Sequence, residues 1–149
     1  MAQLFRMDAS TFVASQLVEE DFAEIAAQGF RSVVNNRPDG EAAGQLANVD
    51  AEAAARRNGL EFRYMPVSCL NVTDDDKVEA FDRLMRELPG PILFYCRSGT
   101  RCATLWTQVA ATRSGTDYAL ATALSAGFDL EMLRDDIDER AAKVVGQAA

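Results

Sequence analysis

Apolar and polar positions change their spacing several times along the chain, and each change marks an element. Leu4–Met7 and Phe12–Ala14 flank the polar turn Asp8-Ala9-Ser10 and predict a short hairpin. Ser15–Gln28 predicts a helix with Phe22, Ile25 and Ala26 on one face and Gly29 as its stop. Phe30–Asn35, centred on Val33-Val34, predicts a strand. Asn36-Arg37-Pro38-Asp39-Gly40-Glu41 predicts a loop, because Pro presets φ while Asp and Gly favour a turn. A helix is expected from there to about Arg57, ended by Asn58-Gly59, and Leu60–Val67 predicts the next strand.

Thr73 is expected to cap a helix in which Val78, Phe81, Leu84, Met85 and Leu88 form one stripe, broken by Pro89-Gly90-Pro91. Ile92-Leu93-Phe94-Tyr95 is a continuous apolar run, the pattern of a strand covered on both faces. A polar loop follows it, then a helix through about Thr112, one over Thr116–Ala126, and one from Asp129 to about Val145. Leu130, Leu133, Ile137 and Val144 make the last stripe, and Gly146–Ala149 is expected to fray.

Strand and helix alternate through the middle of the chain. This predicts an α/β fold of three layers, with a mostly parallel central sheet flanked by helices. No repeat or linker interrupts it, so residues 1–149 read as one domain with its core over about 4–145. The two closing helices carry no chemistry. They are expected either to cover the sheet or to form a homodimer contact.

Composition narrows the function. At 149 residues and 48% hydrophobic, the chain can bury a core without covalent staples. No apolar run approaches the ~20 residues of a membrane span, and Met1–Arg6 lacks the apolar centre of a signal peptide, so a cytoplasmic location is expected. The net charge of −8 argues against nucleic acid or an anionic membrane as partner. It leaves room for a small anion wherever Arg residues cluster. The three cysteines, Cys69, Cys96 and Cys102, are odd in number and form no C-x-x-C, which fits neither a disulfide framework nor a zinc cassette. The chain has no His, which removes Ser-His-Asp and Cys-His catalysis and His-based metal sites. No metal or cofactor is expected, and a nucleophile here must be activated by backbone dipoles and cations.

One loop meets that requirement: Cys96-Arg97-Ser98-Gly99-Thr100-Arg101, between a buried strand and a helix. Ligands of open α/β sheets bind beyond the carboxyl ends of the strands, where Cys96 falls. A helix N-terminus offers unpaired N–H groups and a positive dipole end. Gly99 lets the backbone turn where a side chain would clash. Arg101 can fork onto an anion, and Arg97 adds charge. The same field should hold the Cys96 thiol ionised near neutral pH, making it a nucleophile for an anionic electrophile. Ser98, Gly99 and Thr100 complete the candidate binding loop.

The loop resembles the C-R-x-G-x-R signature of rhodanese-type sulfurtransferases. That resemblance implies a Cys96 persulfide cradled by the amides of Arg97 to Arg101. Val33-Val34-Asn35-Asn36-Arg37-Pro38-Asp39-Gly40-Glu41, Pro66-Val67 and Phe94–Arg101 together resemble the DUF442 family, the phosphatase-like domains also found in beta-lactamase-hydrolase-like proteins. The likeness covers roughly Leu4 to Ala126 and implies a tyrosine-phosphatase or dual-specificity-phosphatase-like fold. Such domains have been labelled both phosphatase-like and sulfurtransferase. The resemblance also implies that the Arg37 loop lies near the Cys96 loop, where Arg37 either helps bind the anion or forms an ion pair with Glu41 that holds the loop's shape.

Three readings follow. The first is sulfur transfer from thiosulfate or a persulfide to a thiol acceptor such as glutathione. It is preferred because the motif is C-x4-R rather than the C-x5-R of tyrosine phosphatases, giving a ring one residue shorter, and because sulfite leaves without an acid. The second is a phosphatase acting through a Cys96 phosphocysteine. Its general acid would be Asp39 or one of Asp74–Asp76, although Asp39 also suits turn chemistry and Asp74–Asp76 also complement a helix dipole. In phosphatases a Ser or Thr after the Arg donates to the thiolate; here that position holds Cys102, a weaker donor. The third is a non-enzymatic redox or anion sensor with Cys102 as redox partner of Cys96, against which stands simple packing of Cys102 under the loop. No function is assigned to Cys69.

Overall fold

In a computed structural model, which describes residues 2–148, five strands form one sheet in the order β1-β2-β5-β3-β4. They are β1 (Leu4–Arg6), β2 (Thr11–Ala14), β3 (Ser32–Asn35), β4 (Glu61–Tyr64) and β5 (Ile92–Tyr95). β1 pairs antiparallel with β2, and every other pair is parallel. The expected hairpin and the mostly parallel sheet are both present. β5 lies at the centre, between β2 and β3, with Val13 and Val34 both in register with Phe94.

The central strand explains its own apolar run. Ile92 and Phe94 face one core, while Leu93 and Tyr95 face the other. Successive side chains of a strand point to opposite faces, so a strand covered on both sides has no polar position to offer. On one face lie α1 (Asp21–Ala27) and α2 (Asn48–Arg57), which bury Phe22, Ile25, Ala51, Ala54 and Ala55. On the other lie α3 (Asp75–Glu87), α4 (Thr100–Ser114), α5 (Thr116–Ser125) and α6 (Arg134–Ala148), preceded by a 3-10 turn over Glu131–Leu133. α4 is the hub of that layer and packs against α3, α5 and α6. The closing helices thus cover the sheet: Leu120, Phe128, Leu130 and Ile137 belong to the same core as β5.

Several expected boundaries are corrected. α1 begins at Asp21, not Ser15, because the Asp21 carboxylate accepts the Val18 N–H at 2.9 Å and starts the helix there. The preceding stretch is tied elsewhere, with the Gln16 N–H donating to the Arg97 carbonyl at 3.1 Å. α2 begins only at Asn48, because Gly40 and Gly44 take positive φ (80° and 78°) and keep the chain in turns until then. β4 stops at Tyr64, and Pro66 has no N–H to extend the ladder. Asp74, not Thr73, is the N-cap of α3, and it makes no side-chain cap bond. In the last segment Asp129 accepts the Glu131 N–H at 3.2 Å and sets up the 3-10 turn, so α6 proper starts at Arg134. Its stripe is incomplete, since Val144 is 42% exposed. The helix runs to Ala148 where fraying was expected; Ala149 lies outside the described residues. No helix among the described residues is long and apolar enough to cross a membrane.

Candidate active site

The site sits at the carboxyl end of β5. Cys96 follows the last strand residue, its N–H donates to the Ala14 carbonyl at 3.3 Å, and its side chain is 1% exposed. The chain then reverses at Gly99, whose φ of +92° makes it the N-cap of α4. Only glycine takes that conformation cheaply, and a Cβ there would stand 3.2 Å from the Phe128 ring. The reversal points the Gly99 N–H back at Cys96 Sγ, 3.2 Å away. The amides of Arg101 and Cys102, in the first turn of α4, add to the field that favours the ionised sulfur.

These donors set the thiol's acidity. Cys96 is lowered from an ordinary 9.0 to about 6. The largest cause is the Cys102 thiol donating to it; burial opposes, and the amides of Cys102, Gly99 and Arg101 reinforce. Cys102 itself, fully buried, is pushed well up, chiefly by burial, so it keeps its proton to donate. That one proton has two acceptors in reach, the Cys96 sulfur and Asn36 Oδ1 at 3.3 Å. Cys102 thus stands where the sequence placed a weak donor, and burial compensates for the weakness by forbidding its ionisation. All three cysteines are free thiols in this structure.

Arg101 is held from two sides. Its Nη1 donates to Glu41 Oε2 at 2.9 Å and to the Val67 carbonyl at 2.8 Å, and its Nη2 donates to Glu41 Oε1 at 2.8 Å. A guanidinium has five N–H donors. Three are used, which leaves Nε–H and one Nη2–H for an anion. Glu41 also accepts from Arg37 Nε at 2.9 Å. Its carboxyl is accordingly lowered from 4.5 to about 2, mainly by the Arg101 hydrogen bond against the opposing cost of burial, with Arg37 next.

Beside the loop opens a cleft of about 440 Å³ lined by Glu41, Cys69, Arg97, Ser98, Thr100 and Arg101, with the buried Cys96 not itself among its lining residues. Of the residues expected at the site, Arg97, Ser98 and Thr100 are on this cleft, the two hydroxyls 3.0 Å apart and bonded to each other. Arg37 is not. It is 4% exposed and spends Nε on Glu41 and Nη1 on Gln16 Oε1 at 3.0 Å, so it braces the loop rather than meeting an anion. Asp39 is not on the cleft either: its Oδ1 accepts the Asn48 N–H at 2.8 Å and caps α2. Asp74 holds the N-cap position of α3 without a side-chain cap bond and does not line the cleft, while Asp75 pairs with Arg140 and Lys143 of α6. No cluster of metal-ligating side chains occurs among the described residues.

Sequence reasoning missed two residues. The spacing pairs Glu41 only with Arg37, yet its tighter engagement is with Arg101, 60 positions away. Cys69 had no role, yet it lines the cleft. The available signal was topological. Glu41 follows β3 and Cys69 follows β4, and the carboxyl ends of parallel strands share one rim with Cys96.

A family model described as the phosphatase-like domain of beta-lactamase hydrolase-like proteins matches residues 4–113. A beta-lactamase hydrolase-like protein of Agrobacterium fabrum is 39% identical over 101 residues, 68% of this chain but 23% of that protein. The chain spans about a quarter of the length of the curated relatives it matches. Among solved structures, a candidate phosphatase from Neisseria meningitidis is 30% identical, with a TM-score of 0.82 over 91% of this chain and 96% of that one. Kinase associated phosphatase, solved with its catalytic-site cysteine changed to serine, shares the fold at 13% identity, with a TM-score of 0.72 over 97% and 96% of the two chains. These likenesses favour the phosphatase reading over sulfur transfer, which loop length had placed first.

Proposed function

Since the chain belongs to the family of phosphatase-like domains of beta-lactamase hydrolase-like proteins, we propose that it is a cysteine-dependent phosphatase acting through a Cys96 phosphocysteine. The observation that carries this reading is a thiol lowered to about 6, held by the Gly99 N–H at the start of α4, beside a guanidinium with two N–H groups left for the phosphoryl oxygens. The Cys96 thiolate attacks phosphorus in line, the phosphorus–oxygen bond to the leaving group breaks, and the departing oxygen takes that electron pair. The developing equatorial charge is met by fixed dipoles and by Arg101, an arrangement that needs no reorganisation during the step. Water then cleaves the S–P bond, releasing inorganic phosphate and regenerating the thiolate. Arg97 supplies further positive charge at the cleft mouth, which offsets locally the net −8 of the chain. Hydrolysis of 4-nitrophenyl phosphate by the purified chain tests this. Turnover is expected, with a loss of about 10³-fold or more in Cys96→Ser, whose hydroxyl is not ionised at neutral pH. Equal rates for the two proteins would refute it.

Sulfur transfer remains a second reading on one observation, the C-x4-R spacing shared with the C-R-x-G-x-R signature. Incubation with thiosulfate followed by cyanolysis would detect a labile sulfur on Cys96. With that reading would go a thiol acceptor such as glutathione; a homodimer and a cytoplasmic setting complete the proposal.

A further inference from the structure

Resting on the phosphatase reading, the geometry points to a substrate class: phosphoryl compounds whose leaving group departs as a stable anion, namely acyl phosphates, phosphoanhydrides and acidic aryl phosphates, and not alkyl monoesters such as a serine phosphate. The reason lies in what surrounds the departing oxygen. The open space beside the Cys96 loop is the cleft that Cys69, Arg97, Ser98 and Thr100 share with Glu41 and Arg101, and a leaving group displaced by Cys96 would depart into it. An alkoxide leaving there needs a proton, and a positioned acid normally supplies about 10²–10⁴-fold in rate.

Among the described residues no carboxylic acid stands ready to give one. Glu41 is the one carboxylate on the cleft, and both its oxygens are taken by guanidinium N–H groups of Arg101 and Arg37. Held so, it is ionised throughout the neutral range and has no proton to transfer. Asp39 is engaged as the cap of α2, Asp75 is bound by α6, and Asp74, exposed and without a side-chain cap bond, is not among the residues that line the cleft. The two hydroxyls on the cleft, Ser98 and Thr100, are bonded to each other. Arg97 can steady a departing anion by its charge, but a guanidinium does not release its proton near neutral pH. The site is therefore built to receive an anion and ill-equipped to protonate one.

The first step is Cys96–S⁻ plus R–O–PO₃²⁻ giving Cys96–S–PO₃²⁻ plus R–O⁻, which takes a proton from bulk water after it has left. The second is Cys96–S–PO₃²⁻ plus water giving Cys96–S⁻ and H₂PO₄⁻. The same missing carboxylate would have served as base for that water, so the phosphocysteine is expected to accumulate.

The test is a leaving-group series on the purified chain: acetyl phosphate, 4-nitrophenyl phosphate, phenyl phosphate and phosphoserine, with release of the leaving group followed by rapid mixing and Cys96 phosphorylation followed by intact mass. The expected result is a burst of about one equivalent for the first two, a first-step rate lower by at least about 10²-fold for phenyl phosphate, and no reaction of phosphoserine. Asp74→Asn should leave the dependence on the leaving group unchanged. Comparable rates across the series, still dependent on Cys96, would overturn the substrate class while leaving the phosphatase reading standing. A dependence that steepens in Asp74→Asn would do the same, identifying that residue as the acid. Failure of every compound to phosphorylate Cys96 would overturn both.

Discussion

The reactivity of Cys96 depends on one neighbouring proton. Its thiolate has a pKa of about 6, below the ordinary 9.0, so the nucleophile is half ionised near pH 6 and fully so by about pH 8. The pH profile of kcat/KM for an acidic aryl phosphate should therefore rise through about pH 6 on its acid side. Cys102→Ala removes the neighbouring S–H that does most to lower the Cys96 thiol, and should move that limb to higher pH; Cys102→Ser, a better donor, should keep it low. Iodoacetamide alkylation of Cys96 against pH reads the same shift without substrate. Because the folded value is depressed, the ionised thiol contributes stability that is complete above pH 9 and is lost as pH falls towards 6. Glu41 behaves likewise in a lower window: its contribution is complete above about pH 4.5 and is lost as pH falls through about 2. Glu41→Gln cannot grip both N–H groups of Arg101 with charge, so kcat/KM should fall by about tenfold or more, the equivalent of about 1.4 kcal/mol in the transition state, while the fold persists. Steady-state kinetics beside a thermal melt checks both halves of that expectation.

The β5–loop–α4 unit acts as one element. The strand brings the sulfur to the sheet's rim, the loop turns the amides inward, and α4 supplies the dipole and further N–H groups. The turn depends on Gly99. Gly99→Ala meets two costs at once, a positive φ and a Cβ 3.2 Å from Phe128, so it should lose about 1–2 kcal/mol of stability from the backbone alone and nearly all activity. Gly59→Ala is the matched control: φ is +74° but nothing lies within 4 Å, so only the backbone cost should appear and the site should survive. Denaturant melts of the two variants, read beside aryl phosphate hydrolysis, separate strain from obstruction. α4 is also anchored away from the loop. Gln108 donates to the Val72 carbonyl at 2.9 Å and thereby ties the segment that follows β4 to the helix that carries Arg101.

For the whole molecule, the family match ends at residue 113 but the core does not. Ala119, Leu120, Ala123, Phe128, Leu130 and Ile137 are buried in the cluster that contains Phe94, Cys96 and Cys102. Phe128 packs edge-on against Phe5 at 5.0 Å and closes the space beside Gly99. The segment beyond the family match is thus continuous with the core beneath the site, with Phe128, between α5 and the 3-10 turn, packed against Gly99. Ile137→Ala, at a position 2% exposed, should cost about 2–5 kcal/mol, measured by chemical denaturation, despite lying far along the chain from the loop. A cost within a few tenths of a kcal/mol would mean that α6 is not integrated into this core.

How much of this was legible in the sequence follows from the range of the forces involved. The nucleophile, its loop, the αL glycine and the helix dipole behind it are encoded within a few residues, because φ preference, capping and helix polarity are local. The doubly covered central strand was also readable, since burial on both faces leaves an unbroken apolar run at Ile92–Tyr95. The partner of Arg101 was not readable, nor was the distance of Asp39 and Arg37 from the cleft, nor the presence of Cys69 beside it. Those facts depend on β3 pairing with β5 on one side and β4 on the other, an order that apolar spacing does not specify. Only when the strands are side by side do their carboxyl ends bring Glu41, Cys69 and Cys96 to one rim, and only there does a carboxylate choose which guanidinium it holds.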